Sequence, residues 1–201
     1  MGGRIPSQTS SNVVSSEILV PKNSFQTSGF VDNKYLAASP SAVVTLVEFG
    51  DYQCPACGLY EPYVKKILTD FPGKVTYVFR NYPLPQHKNA PISSYAVEAA
   101  GIQGKYWEMH EKMFTTQADW SSVIDPTEMY KGHASELGLN IDQFVSDMDS
   151  QKVKDIVKAD MNDGNTVRLS ETPTFYLNGK KVNLTGDFSS LENLIKSELS
   201  K

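Results

Sequence analysis

The feature that most constrains this chain is its cysteine spacing, because the 201 residues contain only two, both in Cys54-Pro55-Ala56-Cys57. A structural disulfide framework would need more cysteines at wider spacing. Two thiols three positions apart, with no others to mispair, are typical of a redox pair. The alternatives are two unreactive core thiols or half of a zinc site, but His87, His110 and His133 show no metal-ligand spacing. We therefore expect no metal and no other cofactor.

Composition and charge argue against several other classes of protein. The formal net charge of -4 leaves no excess of Lys and Arg for a phosphate backbone, so no nucleic acid partner is expected. The longest apolar stretch, 42–47, is far shorter than the roughly 20 residues that cross a bilayer. Residues 1–28 are polar and lack the charged start and apolar run of a signal peptide, which predicts a leader or linker without a fold of its own.

The hydrophobic pattern around the cysteines predicts a β-α-β unit. Apolar residues from Ala42 to Phe49 occupy both faces, as in a central strand covered on two sides. Steps of three and four from Cys57 to Phe71 predict a helix directly after it, and Pro62 inside that helix should kink it. Alternation from Lys74 to Phe79 predicts a second strand. The cysteines would then lie where the first strand meets the helix.

The second half of the chain predicts a block of helices followed by a hairpin and a last helix. Helical spacing runs from about 91 to 169, and Tyr106, Met109 and Met113 are expected to form its core rather than a substrate groove. Strands are predicted at Thr174–Leu177 and Lys181–Leu184, on either side of an Asn-Gly turn. The three histidines are expected on surfaces or helix faces, and no role is assigned to them.

The position of the two thiols predicts different roles for them. Cys54 would lie at the helix start, where unpaired backbone N–H groups and the helix dipole stabilise an anion and lower the thiol pKa. Cys57, one turn into the helix, would be more buried and less anionic, and close enough to attack a mixed disulfide on Cys54. Cys54 is therefore predicted to be the nucleophile and Cys57 the resolving thiol.

These residues together resemble a known family. Val47-Glu48-Phe49-Gly50-Asp51-Tyr52-Gln53-Cys54-Pro55-Ala56-Cys57 is similar to the active-site entry of the DsbA-like branch of the thioredoxin superfamily. Pro62, the segment Gln103–Trp107 and the segment Glu171–Phe175 resemble its helix kink, its helical insertion and its cis-proline loop. The resemblance runs from about Val31 to the C-terminus. It implies an α/β, thioredoxin-like fold in residues 29–201, with a helical insertion at about 88–169.

The resemblance also bears on three residues outside the cysteine pair. Glu48 shares strand parity with Leu46, so its carboxylate is expected to face the interior near Cys57, where a raised pKa would let it relay the proton of that thiol. The family carries an acidic residue at the position of Glu48. The alternative is that the Glu48 carboxylate turns to solvent at the end of the strand. The resemblance further implies a cis-Pro173 loop beside Cys54, in which Thr172 offers backbone groups to an extended substrate, and a following strand whose edge could accept one more.

The activity that the resemblance implies is thiol-disulfide exchange. We expect oxidation of dithiols in exported proteins, in an extracytoplasmic compartment, by a monomer that a membrane redox partner regenerates. An export signal or anchor would precede Met1, with the polar leader as a tether. Ala56 stands where DsbA-like oxidases carry a His that stabilises the thiolate, so a milder oxidant is expected. The alternatives are a disulfide reductase or isomerase, and a non-catalytic thioredoxin-like binding module.

Overall fold

The computed structural model describes residues 27–31, 34–37, 42–183 and 189–201. Its sheet has six strands in the order β2-β1-β4-β3-β5-β6. The strands are β1 Thr27–Val31, β2 Lys34–Ala37, β3 Val44–Gly50, β4 Val75–Asn81, β5 Thr174–Leu177 and β6 Lys180–Lys181. β3 is parallel to β4 and antiparallel to β5, and therefore lies inside the sheet. The predicted central strand and β-α-β unit are confirmed.

Eight helices are described in the same residues. They are α1 Pro55–Asp70, α2 Ala90–Ile102, α3 Tyr106–Thr115, α4 Gln117–Trp120, α5 Thr127–Glu136, α6 Ile141–Asp149, α7 Gln151–Thr166 and α8 Ser189–Leu199. The six helices α2 to α7 lie between β4 and β5 in the chain, which is the predicted helical block. Among the residues with described placement, no helix is long and apolar enough to cross a membrane.

The two faces of the sheet bury separate clusters, as the two-residue period of a strand requires. One cluster contains Leu46, Tyr77 and Phe79 of the sheet together with residues of α1, the insertion and α8. The other contains Val47 and Phe49 and packs against Tyr82, Leu169, Tyr176 and parts of α7. Tyr106, Met109 and Met113 are buried in the first cluster, so the prediction that they form core is confirmed.

The start of α1 follows from its sequence. Cys54 is the N-cap with extended backbone angles, and Pro55 occupies the first turn, where its missing N–H costs no helical hydrogen bond. Pro62 lies inside the helix, as predicted. The helix ends at Asp70, before the Pro72-Gly73 turn in which Gly73 adopts a positive φ of 69°.

A buried polar cluster joins the sheet to the insertion. The guanidinium of Arg80 on β4 donates to Asp160 on α7, with 2.6 Å between Nε and Oδ1, and also contacts Asp163. Asn81 donates its backbone N–H to Asp160 Oδ2 at 3.0 Å and its side-chain amide to Glu98 Oε1 on α2 at 2.7 Å. The end of β4 is therefore fixed to two insertion helices.

Two predictions about strands need correction. β1 and β2 form an antiparallel hairpin in which β1 pairs with β4, and neither strand was predicted. Thr27 and Ser28, assigned to the polar leader, belong to β1, whereas residues 1–26 lie outside the described residues. The returning strand predicted at Lys181–Leu184 is wrong in extent: β6 covers only Lys180–Lys181, and Leu184 lies outside the described residues.

Candidate active site

Cys54 lies at the N-terminus of α1, and 6% of the residue is exposed to solvent. Its pKa is lowered to about 5, chiefly because the Cys57 thiol donates a hydrogen bond to the thiolate. Burial opposes this shift, while the Thr172 side chain and the backbone N–H groups of Cys57 and Ala56 support it. These two N–H groups are the unpaired donors of the first helical turn. The local structure therefore favours an anion at Cys54.

Thr172 offers different groups to the two protonation states of Cys54. In the thiol form Cys54 Sγ donates to the carbonyl oxygen of Thr172 at 3.4 Å. A thiolate can no longer donate, and the Thr172 hydroxyl then becomes the available donor. This hydroxyl is buried and has no other hydrogen-bond partner among the described residues. The Thr172–Pro173 peptide bond is cis, so the predicted loop beside Cys54 is confirmed.

Cys57 is fully buried, and its pKa is raised well above the ordinary thiol value. Burial is the main cause, followed by the hydrogen bond that its thiol donates to Cys54 and by the charge of Glu48. The backbone N–H of Asp51 donates to Cys57 Sγ at 3.4 Å and acts weakly in the opposite direction. The two thiols are both free in this structure and differ in proton affinity in the predicted sense.

Glu48 on β3 faces the same interior, and only 1% of it is exposed. Tyr77 OH donates to Glu48 Oε2 at 2.7 Å. Burial raises the pKa of Glu48 to about 8; the Tyr77 hydrogen bond opposes the rise, and the charges of Glu61 and Cys54 add to it. The alternative of a solvent-facing carboxylate is therefore wrong. Its expected role in proton relay stays a prediction.

The strand after Pro173 does not offer a sheet edge. β5 is hydrogen-bonded to β3 on one side and to β6 on the other, although β6 pairs only with Tyr176 and Leu177. Val182 N–H also donates to Phe175 O at 2.8 Å. An extended substrate would therefore have to meet the backbone of the loop at Thr172 rather than the strand itself.

Asp51 organises the loop before the cysteines, and the sequence reasoning missed it. Its carbonyl accepts from Cys54 N–H at 3.0 Å, and its carboxylate accepts from Gln53 N–H at 2.8 Å. The other carboxylate oxygen accepts from Leu84 N–H at 2.8 Å and lies 2.7 Å from His87 Nδ1. The one feature of the sequence that could have pointed to Asp51 was its position within the motif that resembles the DsbA-like branch.

The insertion holds the same loop from the other side. Gln53 donates its side-chain amide to Ser121 O at 2.6 Å and accepts from Asn89 N–H at 2.6 Å. Gln117 donates to the carbonyl oxygens of Tyr52 and Cys54 at 2.7 and 2.9 Å. The position of Cys54 at its helix start therefore depends on contacts from both halves of the molecule.

No partner was identified from the sequence for the three histidines, but each has one in the structure. His110 is fully buried among aromatic rings, with Nδ1 2.9 Å from Tyr52 OH and Nε2 3.3 Å from Glu61 Oε2. His87 pairs with Asp51, as described above. His133 Nε2 lies 3.1 Å from Thr116 Oγ1. Within the described ranges, no group of three or more His, Cys, Asp or Glu side chains is arranged to hold a metal ion.

Comparisons with known proteins agree with this geometry. A family model described as thioredoxin matches residues 33–197. The chain belongs to the thioredoxin family. BdbD from Bacillus subtilis, in its oxidised form, is 25% identical, with a TM-score of 0.71 over 88% of this chain and 93% of that one. The family model and the fold of the solved structures bear out the resemblance to the DsbA-like branch of the thioredoxin superfamily.

Other similar structures share the fold at lower identity. The catalytic domain of Proteus mirabilis ScsC is 16% identical, with a TM-score of 0.71 over 92% of this chain and 94% of that one. A periplasmic thioredoxin-like protein from Salmonella enterica serovar Typhimurium is also 16% identical, with a TM-score of 0.70 over 92% and 95% of the two chains. The thioredoxin-like α/β fold is thereby established.

Curated relatives match only in part of their length. The Na(+)/H(+) antiporter NhaA 1 of Salinispora arenicola is 35% identical over 151 residues, which are 75% of this chain and 22% of the antiporter. The protein of the same name from Mycobacterium sp. (strain KMS) is 34% identical over 163 residues, 80% of this chain and 26% of that protein. The chain thus spans about a quarter of the length of these relatives.

Proposed function

We propose that the protein oxidises pairs of cysteine thiols in exported proteins by thiol-disulfide exchange at Cys54 and Cys57. The observation that carries this proposal is the opposite direction of the two pKa shifts. The pKa of Cys54 falls to about 5, whereas that of the buried Cys57 rises. A thiol of low pKa is a good leaving group from a mixed disulfide, and stabilising the reduced pair makes its disulfide more oxidising.

The proposed reaction transfers two electrons from the substrate to the cysteine pair. A substrate thiolate attacks Cys54 Sγ of the Cys54–Cys57 disulfide, and the Cys57 thiolate that leaves takes a proton from the Glu48 carboxyl group. A second substrate thiolate then attacks the substrate sulfur of the mixed disulfide and releases Cys54 as a thiolate. The substrate gains one disulfide, and the protein becomes a dithiol that an external oxidant must regenerate.

The remaining parts of the proposal concern location and partners. We place the protein outside the cytoplasm, where disulfides persist, as a monomer regenerated by a membrane redox protein. The similarity to a periplasmic thioredoxin-like protein supports this placement. We do not propose antiporter activity for this chain, because its match covers only about a quarter of the length of the relatives named as antiporters.

The reduction potential tests the direction of electron flow. We expect a value between those of thioredoxin, about −270 mV, and DsbA, about −120 mV, measured in glutathione redox buffers. The reduced protein should also resist denaturation better than the oxidised protein, since only the reduced form gains from a stabilised thiolate. If the potential is at or below that of thioredoxin and the oxidised form is the more stable, the oxidase proposal fails and the protein is a reductase or isomerase.

A second measurement separates catalysis from a non-catalytic binding role. Cys54 should react with iodoacetamide at mildly acidic pH, because a thiol with a pKa of about 5 is already ionised there. If Cys54 becomes reactive only above about pH 8, its thiol has an ordinary pKa, and the non-catalytic binding module becomes the better proposal.

A further inference from the structure

A large cavity lies beside the loop that carries the cysteines. It has a volume of about 890 Å³ and opens between the segment after β4, the start of α2 and one side of α7. Its lining includes the apolar side chains Leu84, Tyr95, Val157, Met161 and Leu169. This volume is in the range of sites that bind ligands or peptide side chains.

The charged side chains that line the cavity are basic. Lys88, Lys154 and Lys158 line it, together with His87, and none of the described residues in its wall is Asp or Glu. This contrasts with the chain as a whole, which has 23 acidic and 19 basic residues. Lys154 is paired with Asp149, with 2.6 Å between Nζ and Oδ1. Within the described residues, Lys88 and Lys158 form no ion pair with a carboxylate and are exposed at the rim.

Two parts of the cavity wall are connected to the segments on either side of Cys54. Leu84 and His87 both bond to the Asp51 carboxylate, three residues before Cys54. Leu169 lines the cavity three residues before Thr172, whose carbonyl oxygen lies 3.4 Å from Cys54 Sγ. Parts of the cavity wall are therefore bonded to, or close in sequence to, residues that contact Cys54.

We propose that this cavity binds an acidic segment of the protein substrate, next in sequence to the reacting cysteine. Carboxylates of the segment would meet Lys88 and Lys158 at the rim, and its apolar side chains would cover Tyr95 and Met161. The proposal deepens the proposed function, on which it rests, by naming a substrate class. Complementary charge at an interface rim raises the association rate and discriminates between partners.

Binding without chemistry provides the first test. Two cysteine-free peptides, identical except for Glu in one and Gln in the other, are titrated into the reduced protein by calorimetry. The Glu peptide should bind about fivefold more tightly, as expected for two solvent-exposed ion pairs, and the preference should shrink at high salt. Amide chemical-shift changes should centre on Leu84, Tyr95 and Met161. Equal affinity of the two peptides, or shift changes elsewhere, would overturn the proposal.

Charge variants identify the residues responsible. Lys88→Gln/Lys158→Gln should bring the affinity ratio of the two peptides close to one. Lys74→Gln/Lys152→Gln removes the same net charge from exposed lysines that do not line the cavity, and should keep the ratio near five. Unfolding curves of both double variants establish that they are folded. If the control variant also loses the preference for the Glu peptide, the preference comes from net charge and the proposed site is refuted.

A kinetic version separates this proposal from the proposed function. The oxidised protein is mixed with dithiol forms of the Glu and Gln peptides, and the second-order rate constants are compared. Oxidation of both peptides at the same rate would refute the acidic preference and leave the oxidase intact. If neither peptide is oxidised but the Glu peptide still binds in the cavity, the oxidase fails and the binding site stands.

Discussion

Replacing Glu48 by Gln should remove a large part of the pH dependence of folding stability. The change keeps the shape of the side chain and an oxygen that can accept from Tyr77 OH, but it removes the titrating group. In the native protein, burial raises the pKa of Glu48 from 4.5 to about 8. The native state therefore holds a proton that the unfolded chain releases at lower pH.

The sign and size of the effect follow from this difference. For an acid whose pKa is raised on folding, the stability is full below the unfolded pKa and falls as the pH rises toward the folded pKa. One pKa unit corresponds to about 1.4 kcal/mol, so the shift from 4.5 to about 8 is at most about 5 kcal/mol. Between about pH 5 and pH 8 the wild-type protein should lose about 3 to 4 kcal/mol through Glu48 alone.

Urea denaturation of the reduced protein measures this loss. The free energy of unfolding of Glu48→Gln, relative to wild type, should rise by about 3 to 4 kcal/mol from about pH 5 to pH 8, because the contributions of groups that do not interact with Glu48 cancel. Glu128→Gln, at an exposed position, should stay within about 0.5 kcal/mol of wild type at both pH values. A difference between Glu48→Gln and wild type that does not change with pH would refute a buried, protonated Glu48.

Three further predictions concern other residues. Cys54→Ser should abolish disulfide transfer. Cys57→Ser, given a disulfide-bonded substrate that its Cys54 thiolate can attack, should accumulate mixed disulfides on non-reducing gels, because no Cys57 thiol is left to release them; faster alkylation of Cys57 than of Cys54 would reverse these roles. Asp160→Asn should lower the free energy of unfolding by about 3 kcal/mol in urea, because Arg80 loses a buried ionic partner; an unchanged midpoint would contradict this. His110→Phe should lower the free energy of unfolding by about 2 kcal/mol in the same assay, since Tyr52 and Glu61 would each lose a buried hydrogen-bond partner; a variant as stable as wild type would argue against those bonds.

The parts of the site that the sequence predicted are those with local periodic patterns. Glu48 was assigned to the interior because side chains alternate along a strand, and it shares its face with Leu46. Cys54 was assigned to the helix start because the apolar spacing of three and four begins at Cys57. The cis form of Pro173 came from the family resemblance alone, since most X–Pro bonds are trans.

The parts that the sequence did not predict depend on contacts between distant segments. His110 finds Tyr52 and Glu61 only because α1, α3 and the loop before α1 pack together. Nothing around position 110 distinguishes such a residue from a histidine on a helix surface. The sequences of Thr27–Val31 and Lys34–Ala37 lack a clear alternation of polar and apolar residues, and the pairing of β1 with β4 is decided by the sheet rather than by local preference.

The difference between the two thiols does not come from the helix N-terminus alone, because burial and the hydrogen bond between the thiols are the main causes of their pKa shifts. What separates them is solvation and one hydrogen bond. Cys57 is fully buried and the charge of Glu48 acts on it, so it keeps its proton and donates a hydrogen bond to Cys54. The same hydrogen bond that lowers the pKa of Cys54 raises that of Cys57, and the reduced pair therefore behaves as one site that shares one proton. In the proposed oxidation the leaving Cys57 thiolate must regain that proton, and in the reverse reaction Cys57 must lose it before its sulfur can attack. The buried carboxyl group of Glu48 is the proposed partner in both proton transfers.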